Sequence, residues 1–374
     1  MPSLLSFFFL ALIPSFVTAE ETTGLQYTES ECNPTHNDSC PANPALGTEH
    51  SWPFNSTLNK DLWDMRTGEL EYTSEGADFK IKAENSSTLL VSNFYIFFGQ
   101  VEAHVKMAKG AGIISSVVLQ SDDLDEIDWE WVGYNSSQVQ SNFFGKGNRT
   151  TSDRGGYHDI TNADTEFHNY TLDWTKERLE WWIDGDLVRT LAYSEPSTLY
   201  GKNYPQTPCQ VRFSNWPVGT PGRAQGDIEW GGGLVQWDDV PFVMSVSKVR
   251  VKDYSSGKEY KYTDNTGSWE SIEVVSGNST AQKNIDKKPA KSLDEKWDDL
   301  GQGAHIGIYI GASVAGALMI GGFLFYCFKQ RRNGRLQRAL DDGQHSAELS
   351  TLEESKMRWR QSELRGKGAY QPVP

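Results

Sequence analysis

Residues Ser121–Gly133 read SDDLDEIDWEWVG, and within them DEIDWEW alternates acidic side chains with large apolar ones. A period of two marks an extended strand with one buried face. Laid out as a strand, Glu126, Asp128 and Glu130 share one face, while Asp125, Ile127, Trp129 and Trp131 share the other. The apolar set belongs between two sheets, which leaves the carboxylates on a concave, solvent-facing groove. Like charges on neighbouring same-face positions repel and raise one another's pKa, so an ordinary solvated strand does not favour this order.

The flanking sequence continues in strands. Gly99–Met107 (GQVEAHVKM) and Phe167–Trp174 (FHNYTLDW) alternate, and Gly112–Gln120 (GIISSVVLQ) is β-branched and apolar. Leu179–Leu191 (LEWWIDGDLVRTL) breaks at Asp184-Gly185, a hairpin signal. Phe242–Lys252 and Glu259–Tyr262 read as closing strands, and helical periodicity is nearly absent. Together these elements predict an all-β, two-sheet jelly-roll sandwich in one large domain, residues 20–275.

The ends of the chain read differently. Leu4–Phe16 is apolar, with three consecutive phenylalanines, and Val17-Thr18-Ala19 follows as a small-residue cleavage pattern. The expectation is a secretory signal peptide over 1–19, although its first residues lack the usual Lys or Arg. Ile306–Phe328 holds no charged residue, and a helix rising ~1.5 Å per residue would carry it across a ~30 Å hydrocarbon layer. Lys329, Arg331, Arg332, Arg335 and Arg338 come next and place the C-terminus in the cytoplasm, a type I topology. A glycolipid-anchor signal is the alternative for such an apolar run, but it ends at its hydrophobic tail, whereas polar residues 329–374 follow here. Gly307 and Gly311 stand at GxxxG spacing, which fits either ordinary small-residue packing or dimerisation. Residues 276–303 read as a juxtamembrane stalk, and 329–374, with Lys356, Arg358 and Arg360, as a disordered tail.

Composition narrows the partners. A net charge of -15 and the lack of a basic patch in the exported part exclude a nucleic-acid ligand. Thirteen tryptophans and fifteen tyrosines suit a neutral sugar polymer, whose flat C–H faces stack on aromatic rings, though many must be core. Sequons at Asn37, Asn55, Asn85, Asn135, Asn148, Asn169 and Asn278 agree with export, as does the pairing expected of Cys32 with Cys40 across a short loop. Cys209 is expected to be a buried thiol, and Cys327 sits at the inner membrane edge.

The carboxylate order points to a chemistry. Retaining glycosidases use two carboxyl groups about 5–5.5 Å apart, one as nucleophile and one as acid/base. Positions i and i+4 of a strand lie roughly 13 Å apart at Cα, given ~3.3 Å per residue. Two Glu side chains can close most of that distance where two Asp cannot, and Asp128 between them can bond to the nucleophile. A divalent cation site is the rival reading, but three alternating side chains are too few ligands alone, and no HExxH or Cys/His cluster is present. No metal or cofactor is expected.

DEIDWEW resembles the ExDxE signature of glycoside hydrolase family sixteen, and its surroundings resemble the fungal Crh-type (Congo-red-hypersensitive) cell-wall chitin–glucan transglycosylases. The resemblance runs through VQSNFFGKG (139–147), FHNYTLDWT (167–175), YPQTP (204–208) and GDIEWGGG (226–233), and covers about Cys32 to Ile272. It implies a concanavalin-like β-jelly roll with Glu126 as nucleophile, Glu130 as proton donor and base, and Asp128 as the assisting carboxylate. It also implies a sugar-holding wall with Arg212, Trp216 and Asp227 as ligand contacts, Trp230 nearby, and Glu130 itself touching substrate. Arg212 stands where relatives often have Lys, and Asp227 where they often have Thr. Tyr134, Phe143, Phe144 and Tyr157 are candidates for the acceptor side, with packing as the alternative for each. The implied activity cleaves chitin, with chitinase-type hydrolysis, and transfers it to β-glucan or chitin acceptors from the plasma membrane, facing the wall. A plain endo-β-glucanase and a non-catalytic lectin-like domain are the other readings.

Overall fold

The computed structural model describes residues 32–150, 154–285, 287, 297 and 299–366, with side chains up to 361. The expected signal peptide lies outside these residues, as do 286, 288–296 and 298 of the expected stalk and 367–374 of the expected tail. The described residues fall into two compact units, divided at residue 290.

The first unit is built from antiparallel strands. They are β1 (Asn43–Pro44), β2 (Glu49–Pro53), β3 (Trp63–Thr67), β4 (Leu70–Tyr72), β5 (Ala77–Ile81) and β6 (Thr88–Ile96), followed by β7 (Gly99–Lys106), β8 (Ile113–Ser121) and β9 (Glu126–Val132). The remainder are β10 (Gln138–Phe144), β11 (Gly156–Asp159), β12 (His168–Trp174), β13 (Arg178–Ile183), β14 (Asp186–Ala192), β15 (Cys209–Pro217), β16 (Phe242–Asp253), β17 (Glu259–Tyr262) and β18 (Ile272–Val275). One sheet runs β11-β10-β9-β8-β15-β6-β3, and the other runs β14-β13-β12-β7-β16-β5-β4 with β2 also paired to β16. The inner faces of both sheets share a single apolar core, as a jelly-roll sandwich requires.

Alternation decides which side chains enter that core. On β9, Ile127, Trp129 and Trp131 are wholly buried. The Tyr170 ring on the opposing β12 meets Trp129 and Trp131 edge-on, with centroids 5.6 and 4.5 Å away. Trp181 of β13 donates its indole N–H to the Asp128 carbonyl at 3.1 Å, tying the opposite sheet to the middle of β9. Where β9 ends, a Cβ on Gly133 would lie 2.3 Å from the Gly110 carbonyl oxygen, so only glycine lets the strand leave the sheet there. The hairpin expected at Asp184-Gly185 joins β13 to β14, and both residues take positive φ (50° and 89°), as a two-residue type I′ turn demands.

Several elements depart from the sequence expectations. Glu259–Tyr262 does not close either large sheet; β17 pairs with β1 and β18 in a three-stranded sheet over a small cluster of Ala45, Phe97, Tyr260 and Ile272. Its anchor is Tyr260, whose hydroxyl donates to the buried Asp253 carboxylate. Beyond Val275 the chain still packs on this unit. Ser279 caps helix α2 (Thr280–Asn284) by accepting from the Gln282 N–H at 2.9 Å, and its own hydroxyl donates to the Leu46 carbonyl at 2.7 Å. Helix α1 (Gln225–Trp230) interrupts the otherwise all-β text. In the second unit a long helix, α3, spans Gln302–Gly366, so the region expected to be a disordered tail continues as helix in residues rich in Leu, Gln, Glu, Lys and Arg. Its apolar part is long enough to cross a membrane.

Trp131→Ala is expected to cost about 3–5 kcal/mol by opening a cavity beneath β9. Urea unfolding followed by fluorescence checks this, with Leu187→Ala, an exposed site on β14, expected to stay within about 0.5 kcal/mol.

Candidate active site

Strand pairing places the acidic row at the centre of the outer face of its sheet. Glu126 stands opposite Gln120 of β8 and Phe144 of β10, Asp128 opposite Val118 and Asn142, and Glu130 opposite Ser116 and Gln140. On the next strand, Gln210, Arg212, Ser214 and Trp216 continue the same rows, because Val211 and Phe213 of β15 fill the core behind. The row is deeper than a solvent-facing groove: Glu126 and Asp128 are 7% and 1% exposed, and only Glu130 is half-buried.

The three carboxyl groups are treated unequally by their surroundings. Gln120 donates its amide N–H to Glu126 Oε2 at 2.6 Å, and Arg212 donates to the Gln120 amide oxygen, so the guanidinium fixes which end of the amide meets the carboxylate. Arg212 also donates to Gln210 at 3.1 Å, and Arg149 approaches Glu126 Oε2 from a loop at 4.0 Å. Burial raises the Glu126 pKa, with Arg149, the Gln120 bond and Arg212 opposing it. Asp128 is raised well above the usual range, first by burial and then by the charges of Glu126 and Glu130. Both Asp128 oxygens are buried without a protein donor, and the arrangement beside Glu126 is stable when Asp128 carries a proton and donates it to that neighbour. Glu130 is pushed up to about 8 by burial and by the negative charge of Glu126. One face of one strand therefore holds three carboxyls raised by burial, of which Glu126 has the most partners opposing the rise, while Asp128 and Glu130 are raised further by its charge.

Under this row lies a polar cluster that alternation alone does not reveal. Asp125 turns inward as expected, but meets cationic and hydroxyl partners rather than hydrocarbon. Lys146 Nζ donates to both of its oxygens at 2.9 Å, Thr207 Oγ1 donates at 2.7 Å and the Gln206 N–H at 2.8 Å. Lys146 lies 3.3 Å from Asp123 as well. Burial pushes Asp125 up to about 6, against the pull of Lys146. The cluster clamps the chain immediately before Glu126.

The remaining expected residues are distributed around the row. Trp216 packs with Ile114 and Val218, is 6% exposed, and has the Arg223 guanidinium 5.7 Å over its ring. Trp230, on α1, donates its indole N–H to Gln140 at 2.9 Å, beside the position opposite Glu130. Asp227 is exposed on the first turn of the same helix. Tyr134, Tyr157, Trp230, Val132, Gln138 and Gln140 line a recess of about 150 Å³. Phe143 is core, which settles it as packing, whereas Phe144 lies on the carboxylate face. Cys32 and Cys40 form a disulfide, and Cys209 is a buried thiol raised well above its usual pKa, donating to the Thr207 carbonyl at 3.2 Å. Sequence reasoning missed Gln120, Lys146 and Arg149; the one available signal was a lysine between glycines in FFGKG, where a positive φ of 53° turns Lys146 beneath the strand.

Lys146→Met would leave Asp125 and Asp123 buried without their cation, at a cost of about 3–5 kcal/mol. Adding Asp125→Asn to it should recover part of that loss in denaturation experiments.

Known proteins bear out the resemblance. A profile described as "Glycosyl hydrolases family 16" matches residues 58–232. Crh-like protein 3 of Aspergillus fumigatus is 55% identical, over 97% of this chain and 99% of its own length. Congo red hypersensitive protein 1 of Saccharomyces cerevisiae is 45% identical over 66% of this chain and 48% of its own. A solved structure titled "Crh5 transglycosylase in complex with NAG" superposes with a TM-score of 0.63 at 41% identity, covering 65% of this chain and all of that one.

Proposed function

The chain belongs to glycosyl hydrolases family 16, among its Crh-like members, and from that premise we propose that it cleaves β-linked chitin through a covalent intermediate on Glu126 and transfers the fragment to β-glucan or chitin. The observation that carries this reading is the unequal protonation along β9: an ionisable Glu126 held by Gln120, four residues from a Glu130 that keeps its proton to about pH 8. The NAG ligand of the solved Crh5 relative supports an N-acetylhexosamine polymer as the donor.

In the first step the Glu126 carboxylate attacks the anomeric carbon as the glycosidic C–O bond breaks, and the proton of Glu130 passes to the departing oxygen. Asp128, hydrogen-bonded to Glu126, fixes its rotamer while it is an ester. In the second step Glu130, now a carboxylate, takes the proton of an incoming hydroxyl, whose oxygen displaces Glu126 from C1. Water as that hydroxyl gives hydrolysis, and a sugar gives transfer. The recess lined by Tyr134, Tyr157 and Trp230 lies on the Glu130 side and supplies stacking for a sugar acceptor. Arg212 acts by holding Gln120 against the nucleophile, Trp216 floors the cleft, and Asp227 offers a carboxylate at its rim.

The rest of the chain suits work at the plasma membrane facing the wall: a signal peptide over 1–19, a catalytic domain from 20, a linker, and a span over 306–328 inside α3. Asn37, Asn55, Asn85 and Asn278 are exposed and Asn135, Asn148 and Asn169 half-buried, so each sequon is open to glycosylation. The protein should stay in the membrane pellet through an alkaline wash and leave it with detergent; release without detergent contradicts the span.

Incubation with chitin oligosaccharides and fluorescent β-1,3-glucan acceptors should yield a labelled hybrid, and Glu126→Gln or Glu130→Gln should lower its rate by about 10²–10⁴-fold. Soluble sugars without a hybrid would instead indicate a plain glucanase or chitinase. The rate should fall as pH rises through about 8, where Glu130 loses its proton, and fall again on the acid side as Glu126 gains one. Stability follows the same groups: the contribution of the raised Glu130 is fully present below its unfolded pKa near 4.5 and lost as pH rises through about 8. Glu130→Gln should remove both the alkaline limb and that loss.

A further inference from the structure

Arg149 entered the sequence reading only as the middle residue of the Asn148 sequon, yet it is placed beside Glu126. Its Nη2 is 4.0 Å from Glu126 Oε2, and its guanidinium rests 5.2 Å over the ring of Phe144, the residue opposite Glu126 on β10. The backbone that leads into it is anchored at two successive residues. The Gly147 N–H donates to the Leu124 carbonyl at 2.8 Å, and the Asn148 carbonyl accepts from Arg154 Nη2 at 2.6 Å. Arg154 is itself buried, stacks 4.7 Å over the same Phe144 ring, and has its carbonyl held by Arg189 at 2.7 Å. Gln120 holds Glu126 from within the sheet, whereas Arg149 is about half exposed and covers it from the solvent side, where a sugar must arrive.

A sugar whose C1 bonds to Glu126 necessarily brings the substituent on C2 next to that carboxylate, and hydrogen bonds to this substituent strengthen in the transition state. A guanidinium donates and cannot accept. It therefore favours an acetamido carbonyl oxygen, serves a hydroxyl less well, and repels a protonated amine. We propose that Arg149 reads the C2 substituent of the donor sugar, selecting the acetamido group over a hydroxyl and excluding a free ammonium. The proposal rests on Glu126 being the nucleophile of a chitin-cleaving enzyme.

The test uses the detergent-purified full chain with three donors of equal length: fully acetylated chitin oligosaccharides, fully deacetylated ones at a pH where their amines are charged, and β-1,3-gluco-oligosaccharides. In wild type the acetylated donor should be strongly preferred. Arg149→Gln also removes a charge from beside Glu126 and so lowers kcat/KM for every donor, but the fall should be about 10–100-fold greater for the acetylated donor than for the gluco-donor, the loss of one charge-assisted hydrogen bond, and the deacetylated donor should gain relative to the acetylated one. Arg149→Lys keeps the charge without the fork, and should restore rejection of the deacetylated donor but only part of the acetyl preference. An unchanged thermal midpoint separates these effects from unfolding. An equal fall on all donors, or no change on any, overturns the inference while leaving the chitin-cleaving reading intact. A wild type inactive on every chitin donor overturns both.

Discussion

Gln120 presents its amide N–H to Glu126 because Arg212 holds the amide oxygen, and this short relay opposes, at Glu126, the burial that raises all three carboxyls. Three carboxyl groups on one buried strand face would otherwise share protons without distinction, since burial raises all of them. The Gln120 bond and the Arg212 charge favour ionisation of Glu126, whereas the Arg149 charge favours it at all three. The Glu126 charge then helps to keep the proton on Asp128 and Glu130. The difference between the proposed nucleophile and the proposed acid thus comes from the neighbours of two chemically identical side chains.

That arrangement needs a rigid strand beneath it. Trp129 and Trp131 fill the core behind β9 against Tyr170, Trp181 bonds the Asp128 carbonyl, and the Asp125–Lys146 pair clamps the entry to the strand. Burying an ion pair contributes little stability by itself. Its value here is positional, since Asp125 immediately precedes Glu126 and a shift there would move the Glu126 carboxyl relative to its partners.

Much of this could be read from the sequence because a period of two is unambiguous when tryptophans and carboxylates alternate. DEIDWEW assigned the faces of β9 correctly, and Asp184-Gly185 located a hairpin whose turn needs positive φ twice. The depth of the acidic row was not readable, because the groups that cover and support it (Gln120, Phe144, Lys146, Arg149, Arg212) come from other strands and loops and meet only through the sheet register. Asp125 was assigned to the core face, but nothing local announced that its partner there is Lys146. Glu259–Tyr262 has strand chemistry without any mark of which sheet it joins, and it pairs in the small three-stranded sheet instead. The helical course of α3 beyond Phe328 was obscured by a charge content that reads equally as a solvated helix or as disorder.

The central claim is that Glu126 bonds covalently to the donor sugar while Glu130 manages the proton. It is tested most directly by quenching the Glu130→Gln variant during turnover of a chitin oligosaccharide with an activated aryl leaving group, which departs without acid assistance, and mapping the protein by peptide mass spectrometry. The account predicts a glycosyl mass on Glu126, in the peptide containing DEIDWEW. A glycosyl mass on another residue, or turnover with inversion and no adduct at any time, would contradict it.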